Sequence, residues 1–228
     1  MKNADIIEVL HPMCQWNFLL FVGKTLRNLE ERRLADGGFQ AVVGVDEAGV
    51  GPLAGPVVAA AVRLPMKFRL PNLRDSKQLS AGQRQKLAEA IKAVAVGYAL
   101  GESSVSEINR VGIRQATFFA MRRAIEGVAN VDFVLVDAWT IPGVPFPQQG
   151  IIRGDATIAS IAAASILAKV ARDARMEEFA ERFPLYGFSK HKGYGTKSHM
   201  EAIVEHGPCE LHRTSWGVFR ELALSNAG

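Results

Sequence analysis

Cysteine is scarce in this chain: only Cys14 and Cys209 occur among its 228 residues. The two lie far apart and form no Cys-x-x-Cys pair, so the sequence indicates neither a disulfide framework nor a zinc ribbon. Structural disulfides belong to oxidising compartments and are rare in the cytosol. The cysteine content therefore favours a reducing, cytoplasmic setting.

Long apolar runs are also missing. The longest one near the start, Trp16 to Gly23, is too short to cross a bilayer. Two acidic residues before it, Asp5 and Glu8, do not fit a signal peptide. Internal repeats and low-complexity segments are absent from the sequence as well. We therefore expect no membrane association and no export.

The overall composition is that of a folded protein with a basic surface. Apolar residues make up 48% of the chain and charged residues 22%, which suits one large domain. The formal net charge is +4. A positive balance favours a polyanionic partner such as a nucleic acid, although it cannot identify one.

Short apolar runs alternate with segments of helical periodicity, which predicts an α/β sheet covered by helices. The predicted strands cover residues 41–46, 56–62, 97–102, 131–136 and 149–153, and the predicted helices begin at Ser80, Gly112, Thr157 and Ser198. Capping-box patterns mark the Ser80 and Ser198 starts. We expect a core over residues 41–183, an N-terminal extension over 1–40 with no evident role, and a helical C-terminal extension over 184–228, after Pro184.

Acidic residues recur at the ends of the predicted strands. Asp46 and Glu47 follow the first strand, Asp137 follows the fourth, and Asp155 precedes the longest helix. Neighbouring strands lie about 4.8 Å apart, so these carboxylates can converge. Together they would repel one another unless divalent cations neutralised them, and Mg²⁺ prefers such oxygen ligands. Two ions about 3.5–4 Å apart could support hydrolysis of a phosphodiester.

Simpler interpretations remain open at this point. Asp46 and Glu47 precede a glycine- and proline-rich stretch and would also suit a solvated β-turn between two strands. Asp155 would be favoured by the helix dipole alone. Four histidines near the C-terminus show no zinc-ligand spacing, and we expect Trp139 and Trp216 to be packing residues.

Several motifs together resemble the bacterial form of ribonuclease HII, in the family's order over roughly residues 41–218. They are Asp-Glu-Ala-Gly-x-Gly-Pro-Leu-Ala-Gly-Pro-Val at 46–57, Asp75-Ser-Lys77, Val136-Asp-Ala, Gly154-Asp-Ala, Ser160-Ile-Ala-Ala-Ala-Ser-Ile-Leu-Ala-Lys169, Arg172-Asp173 and Tyr186-Gly-Phe-x-x-His-Lys-Gly-Tyr-Gly-Thr196.

The resemblance implies a ribonuclease H-like fold, with a mixed five-stranded sheet flanked by helices and a helical C-terminal extension that contributes to substrate binding. It also implies a monomeric endonuclease that cleaves RNA in RNA–DNA hybrids and at ribonucleotides embedded in DNA, leaving a 3′-hydroxyl and a 5′-phosphate. The implied cofactors are two Mg²⁺ or Mn²⁺ ions. Their implied ligands, which are also the catalytic residues, are Asp46, Glu47, Asp137 and Asp155.

The resemblance further implies residues that contact the substrate. The backbone of Gly49, Val50 and Gly51 would approach the ribose 2′-hydroxyl, the group that distinguishes RNA from DNA, and Tyr194 would pack on the sugar just past the junction. Lys77, Lys169 and Arg172 would contact phosphates, although each would otherwise be an ordinary surface charge, and Arg172 would also suit an ion pair with a nearby acid.

Position 50 departs from the family. The family nearly always has arginine where this chain has Val50, so a positive charge near the scissile region is missing and a weaker substrate contact is expected.

Three other classes share parts of this pattern. A catalytically inactive hybrid-binding module would have no reason to keep four repulsive acids. Resolvase or transposase cores lack the Gly-x-Gly sequence and the stretch around Tyr194. Ribonuclease HIII typically has a longer N-terminal domain than the roughly forty residues before the first motif here.

Overall fold

The computed structural model describes residues 28–73 and 76–219. The apolar run from Trp16 to Gly23 and Asp75 of the Asp75-Ser-Lys77 motif lie outside the described residues. The strands are β1 (Val42–Ala48), β2 (Val57–Arg63), β3 (Gly97–Ser103), β4 (Phe133–Asp137) and β5 (Gln148–Ile151). The helices are α1 (Leu29–Asp36), α2 (Ala81–Val94), α3 (Val105–Val111), α4 (Ile113–Glu126), α5 (Gly154–Thr157), α6 (Ala159–Arg182), α7 (Phe188–His191) and α8 (Lys197–His206), and short 3-10 turns span Ser76–Gln78 and Pro184–Tyr186.

The five strands form one mixed sheet in the order β3-β2-β1-β4-β5. The first three pair antiparallel, whereas β1 with β4 and β4 with β5 pair parallel. The parallel register aligns Val45 with Val136, so the residues that follow them, Asp46 and Asp137, emerge side by side at the same edge. The five-stranded mixed sheet expected from the resemblance is confirmed.

The alternation of side chains along β1 and β2 builds two cores on opposite faces of the sheet. Val43 and Val45 pack with α3 and α4 on one face, while Ala60 and Val62 pack with α2 and α6 on the other. Small residues let α6 lie close to the sheet: a Cβ added to Gly44 would collide with the backbone at Ser160. Asp46 shares the face of Gly44, which places it beneath α6.

The long helix differs from its predicted form at its start. It begins at Ala159, and Asp155 lies in the separate turn α5. Arg153 adopts a left-handed conformation with a φ of 58°, which ends the path of β5 and starts this turn. Asp155 therefore precedes the long helix as predicted, but it lies in a separate short turn, and α6 begins two residues after the predicted start at Thr157.

Two other helices test the capping patterns. The predicted Ser80 capping box is present, with Gln83 as its partner. The predicted cap at Ser198 was wrong, because the cap is Thr196, two residues earlier, whose hydroxyl accepts the His199 N–H, and α8 begins at Lys197. Helix α3 was missed entirely, although Ser104 and Glu107 form a capping box before it.

The segment after Pro184 packs as a separate cluster against the loop between β1 and β2. Buried Ala54, Met176, Tyr186, Phe188 and Ile203 form its centre. Trp216 packs partly buried against this cluster, but Trp139 is 73% exposed, so its expected packing role was wrong. Among residues 28–73 and 76–219, no helix is both long and apolar enough to cross a membrane.

Candidate active site

Three aspartates converge at the carboxyl ends of β1 and β4. Carboxylate oxygens of Asp46, Asp137 and Asp155 all lie within 4.8 Å of one another. Asp46 and Asp155 are each about 5% exposed, whereas Asp137 is partly exposed. Asp155 joins the other two because the turn α5 is tied to β4: the N–H of Gly154 donates to Asp137 Oδ1 at 2.7 Å. Nearby Glu47 lines the same groove but is not part of the three-aspartate cluster.

The electrostatics of this cluster favour a bound cation. Burial and the neighbouring Glu47 hold the pKa of Asp46 well above its usual value. Burial and the charge of Asp137 raise the pKa of Glu47 to about 7, and burial with the charge of Asp155 raises the pKa of Asp137. Each pKa is raised because burial and a neighbouring like charge both disfavour the ionised carboxylate. Oxygen ligands in such a set fit Mg²⁺ or Mn²⁺.

Basic residues line the groove beside the acids. Lys77 Nζ lies 3.0 Å from Asp155 Oδ2, and Lys169 Nζ lies 2.8 Å from Asp173 Oδ1. Arg84 faces the same groove and was not anticipated from the sequence. A positive rim around an acidic centre allows the groove to hold a phosphodiester backbone over a metal site.

Arg172 does not lie on this rim. It is 1% exposed, and its guanidinium donates to the carbonyls of Ala54, Pro56 and Lys192 at 3.0–3.1 Å. A Cβ on Gly49 would collide with its side chain. This placement argues against the predicted phosphate contact and for a structural role, because the donors of Arg172 are used within the protein.

A second buried arginine, Arg213, holds the glycine-rich loop between β1 and β2, residues 49–56. Arg213 is completely buried, and its guanidinium donates to the carbonyls of Gly49, Val50 and Gly55, the Val50 bond measuring 2.8 Å. Its pKa falls to about 9, because burial disfavours the charge and Arg172 lies close by. No periodicity or spacing in the sequence indicates this role, since Arg213 lies 158 positions away from Gly55.

Tyr194 comes from the C-terminal extension and lines the groove beside the glycine loop. It is 46% exposed, and a Cβ on Gly51 would lie 3.8 Å from its ring. The preceding Gly193 accepts the N–H groups of Leu53 and Ala54, which joins the extension to the loop. The sequence-predicted substrate residues Gly49, Val50, Gly51, Lys77, Lys169 and Tyr194 therefore line one groove with Asp46, Glu47 and Asp137.

Two buried histidines support the backbone at Tyr194. The ring nitrogens His199 Nε2 and His212 Nε2 lie 3.1 Å apart, and His212 Nδ1 accepts the Cys209 N–H at 2.9 Å. A neutral His212 then carries its proton on Nε2 and donates to His199, which donates from Nδ1 to the Tyr194 carbonyl at 2.9 Å. These histidines use their ring nitrogens in a hydrogen-bonded chain.

This fold and this acidic site together define a metal-dependent nuclease of the ribonuclease H class, a hydrolase of phosphodiester bonds. Comparison with known proteins narrows the class. The chain belongs to the ribonuclease HII family, whose model, described as Ribonuclease HII, matches residues 43–218. Its activity is therefore that of a ribonuclease H, which acts on RNA–DNA hybrids, and the hypotheses of a pure binding module and of a resolvase or transposase core are set aside.

Individual relatives agree with this assignment. The chain is 49% identical to a ribonuclease HII of Desulfitobacterium hafniense over 205 residues, covering 89% of this chain and 79% of the relative. It is 50% identical to a ribonuclease HII of Syntrophotalea carbinolica over 192 residues, covering 84% and 92%. The crystal structure of ribonuclease H2 from Pyrococcus horikoshii superposes with a TM-score of 0.69 at 25% identity, covering 81% of this chain and 97% of that one.

Proposed function

We propose that this ribonuclease H incises the RNA strand of RNA–DNA hybrids and single ribonucleotides embedded in duplex DNA by a two-metal-ion mechanism, leaving a 3′-hydroxyl and a 5′-phosphate. One observation carries the proposal: two of the three converging aspartates, Asp46 and Asp137, line a groove together with a glycine loop whose carbonyls accept hydrogen bonds from buried Arg213. The groove thus places a site for hydrolysis next to a loop whose backbone would contact the ribose of the substrate.

In this proposal Asp46, Asp137 and Asp155 are the central metal ligands, and Glu47 completes the set from the groove wall. Two divalent ions, when bound, would supply an activated water and stabilise the leaving oxygen. The protein's own contribution is to hold its carboxylates together against their repulsion, through the β1–β4 register and the Gly154 N–H bond to Asp137.

The glycine loop supplies the proposed ribose recognition. With the carbonyls of Gly49 and Val50 turned inward to Arg213, the opposite side of the peptide chain is available to a 2′-hydroxyl. Gly49 has a φ of 102°, a conformation that L side chains rarely adopt, so glycine is required there. Tyr194 beside Gly51 is placed to pack on the neighbouring sugar. Specificity would thus come from the sugar and not from the base.

The remaining substrate contacts are proposed for the rim. Lys77 and Lys169 are placed to contact phosphates, each exchanging part of its pairing with Asp155 or Asp173 for the nucleic acid. Residues 41–183 would form the catalytic core and residues 184–228 an extension that contributes Tyr194 and the support of the loop. The scarcity of cysteine favours the cytoplasm as its place of action.

One experiment tests the function directly. Three labelled duplexes are compared on a denaturing gel: one with a single ribonucleotide in DNA, one continuous RNA–DNA hybrid and one of DNA alone. Each is incubated with Mg²⁺, Mn²⁺ or EDTA. We expect cleavage of the first two with either metal and no cleavage of DNA or in EDTA. Cleavage of the hybrid without incision at the single ribonucleotide would contradict the junction-recognising role of the loop.

A further inference from the structure

The helix α1, which precedes the region matched by the family model, packs into the catalytic core. Its Leu34 is buried in a cluster with Val42, Phe133 and Ile161. Asn28, just before the helix, donates to the Met66 carbonyl at 2.8 Å. Segment 28–36 therefore shares the core of the sheet, which the expectation of a separate extension over residues 1–40 did not include.

One side chain of α1 reaches the start of the long helix. Glu31 is 4% exposed, and its Oε1 accepts the N–H of Ser160 at 2.9 Å. The first N–H groups of any helix lack partners within that helix and are normally satisfied by a capping side chain. The residue at the cap of α6 is Ile158, which has no polar atom in its side chain. Glu31 thus supplies the cap of α6 from 129 positions away in the chain.

The capped end of α6 lies next to the two elements that carry Asp46 and Asp155. Ser160 lies against Gly44 of β1, two residues before Asp46. The turn α5, which carries Asp155, runs directly into α6, and the Ile158 N–H donates back to the Gly154 carbonyl at 2.8 Å. A displacement of the first turn of α6 would therefore move Asp155 relative to Asp46.

We propose that Glu31 is a positioning residue of the metal site: by capping α6 at Ser160, it fixes the separation of Asp155 from Asp46 and so the affinity for divalent metal. This inference rests on the proposed function, in which these aspartates are the ligands. It assigns to α1 a role in the chemistry, exerted through α6, in addition to its packing.

The test measures Mn²⁺ binding to the protein by calorimetry in the absence of nucleic acid, with the melting temperature measured in parallel. Glu31→Ala removes the acceptor, and Glu31→Asp keeps the charge but shortens the side chain. We expect both to weaken Mn²⁺ binding about fivefold, the equivalent of one lost helix cap. Glu31→Gln keeps an acceptor oxygen of the same reach and should restore binding close to wild type.

A neighbouring residue provides the matched control. Glu30 is partly buried in the same helix but pairs with Arg33 and not with α6, so Glu30→Ala should leave Mn²⁺ binding unchanged. Loss of melting temperature in Glu31→Ala with an unaltered Mn²⁺ affinity would show a purely structural role and overturn the inference. Equal losses in Glu31→Gln and Glu31→Ala would also overturn it, because the effect would then follow charge. If Glu31→Ala does not fold, the comparison of Glu31→Asp with Glu31→Gln decides.

The same experiment separates this inference from the proposed function. Absence of Mn²⁺ binding by the wild-type protein would contradict the metal site itself. Binding by the wild type with no difference among the Glu31 variants would contradict only the positioning role.

Discussion

The two halves of the groove are built on opposite electrostatic principles. The acidic half brings Asp46, Asp137 and Asp155 within 4.8 Å of one another, so that like charges repel. The glycine half is the loop between β1 and β2, residues 49–56. Two buried cations, Arg172 and Arg213, hold it from inside the protein, and their described hydrogen-bond acceptors are backbone carbonyls. One half needs a cation to offset the repulsion among its acids, whereas the other is assembled by the protein's own hydrogen bonds.

This contrast assigns different tasks to the two halves: the acidic half is suited to catalysis with metal, and the glycine half to recognition of the ribose. Buried like charges are costly unless a partner of opposite sign is bound, so the acidic half is suited to binding metal. A loop tied by several hydrogen bonds to rigid guanidinium groups keeps its shape before the substrate arrives, which is what selective recognition of a sugar requires. Changes in the acidic half should therefore affect rate, and changes in the glycine half should affect stability and selectivity.

The largest expected effect breaks the acidic half alone. Asp137→Asn removes one ligand charge but keeps the side chain's size, and we expect cleavage to fall by about a thousandfold or more, the several kcal/mol that metal catalysis contributes. Hybrid binding should remain largely intact, because the phosphate-contacting surface is unchanged. Cleavage rates and filter-binding affinities for the same hybrid provide the measurement. Parallel loss of binding and cleavage would indicate a folding defect instead.

The second prediction breaks the glycine half alone. Arg213→Met leaves the carbonyls of Gly49, Val50 and Gly55 without their donor, and the free energy of unfolding should fall by about 2–4 kcal/mol, since buried unpaired groups cost about 1–3 kcal/mol each. Part of this cost is offset because the buried charge is removed as well. Urea denaturation measures the change.

Arg182→Met is the matched control for that variant. Its guanidinium is exposed and pairs with Glu210 at 3.2 Å, so its loss should stay within about 0.5 kcal/mol. Equal effects of the two substitutions would show that the loop does not depend on Arg213. In the folded Arg213→Met protein, Mn²⁺ binding should stay close to wild type, whereas incision at a single ribonucleotide should fall.

The same contrast explains what could be predicted from the sequence. Asp46, Glu47 and Asp137 were identifiable because they follow apolar strands, and strand pairing brings such positions together. Asp155 was identifiable from its place just before the longest helix. The family resemblance added the glycine loop and Tyr194. Arg213 and Glu31 could not be found by periodicity, since each acts on backbone groups more than 120 positions away. The phosphate contact of Arg172 came from the family resemblance, and its burial could not be anticipated because arginine is almost never fully buried.

Local signals failed where tertiary packing decided the outcome. The two-residue error at α8 arose because two hydroxyl residues, Thr196 and Ser198, could each serve as the cap, and Thr196 is the one that accepts the His199 N–H. The separate turn α5 was missed because the helical pattern was traced only from Thr157 onward, whereas α5 spans Gly154–Thr157. The bond of Gly154 to Asp137 shows that α5 is fixed by the sheet.

The third prediction concerns acid sensitivity of the glycine half. Burial lowers the pKa of His212 to about 4, against 6.5 for the ordinary side chain. Between these values the unfolded chain binds a proton that the folded protein excludes, so stability is lost as pH falls from about 6.5 towards 4. Above pH 6.5 this residue should contribute no pH dependence. The lowered pKa of His199, also caused by burial, adds to the same trend.

Melting temperatures measured between pH 7 and pH 4.5 test this sign. The gap between wild type and His212→Gln should narrow as pH falls, by about 2–4 °C for each kcal/mol lost. His206→Gln is the control, because His206 lies outside the His199–His212 chain and contacts the ring of Tyr186. A gap that stays constant, or widens, would show that His212 is not buried as a neutral residue.

The smallest expected effect concerns the glycine half. It comes from introducing at position 50 the arginine that the family pattern contains. Val50 is 39% exposed and lines the groove, while its carbonyl is held by Arg213. The backbone at position 50 is therefore fixed, and a longer side chain introduced there should extend into the groove. Val50→Arg would add a charged donor beside the nucleic-acid backbone, an interaction of about 1.5–3 kcal/mol when well formed.

We therefore expect Val50→Arg to raise the catalytic efficiency for a single embedded ribonucleotide about tenfold or more, since tenfold corresponds to about 1.4 kcal/mol. Val50→Gln controls for length and polarity without charge and should give a smaller gain. Part of the gain is phosphate attraction, so kcat/KM for the three proteins should converge as salt is raised. Because the neighbouring acids attract cations too, an added arginine that pairs with Glu47 would instead slow cleavage at every salt concentration. That result would mean that the valine protects the metal site from a competing cation, and that the two halves of the groove are coupled through position 50.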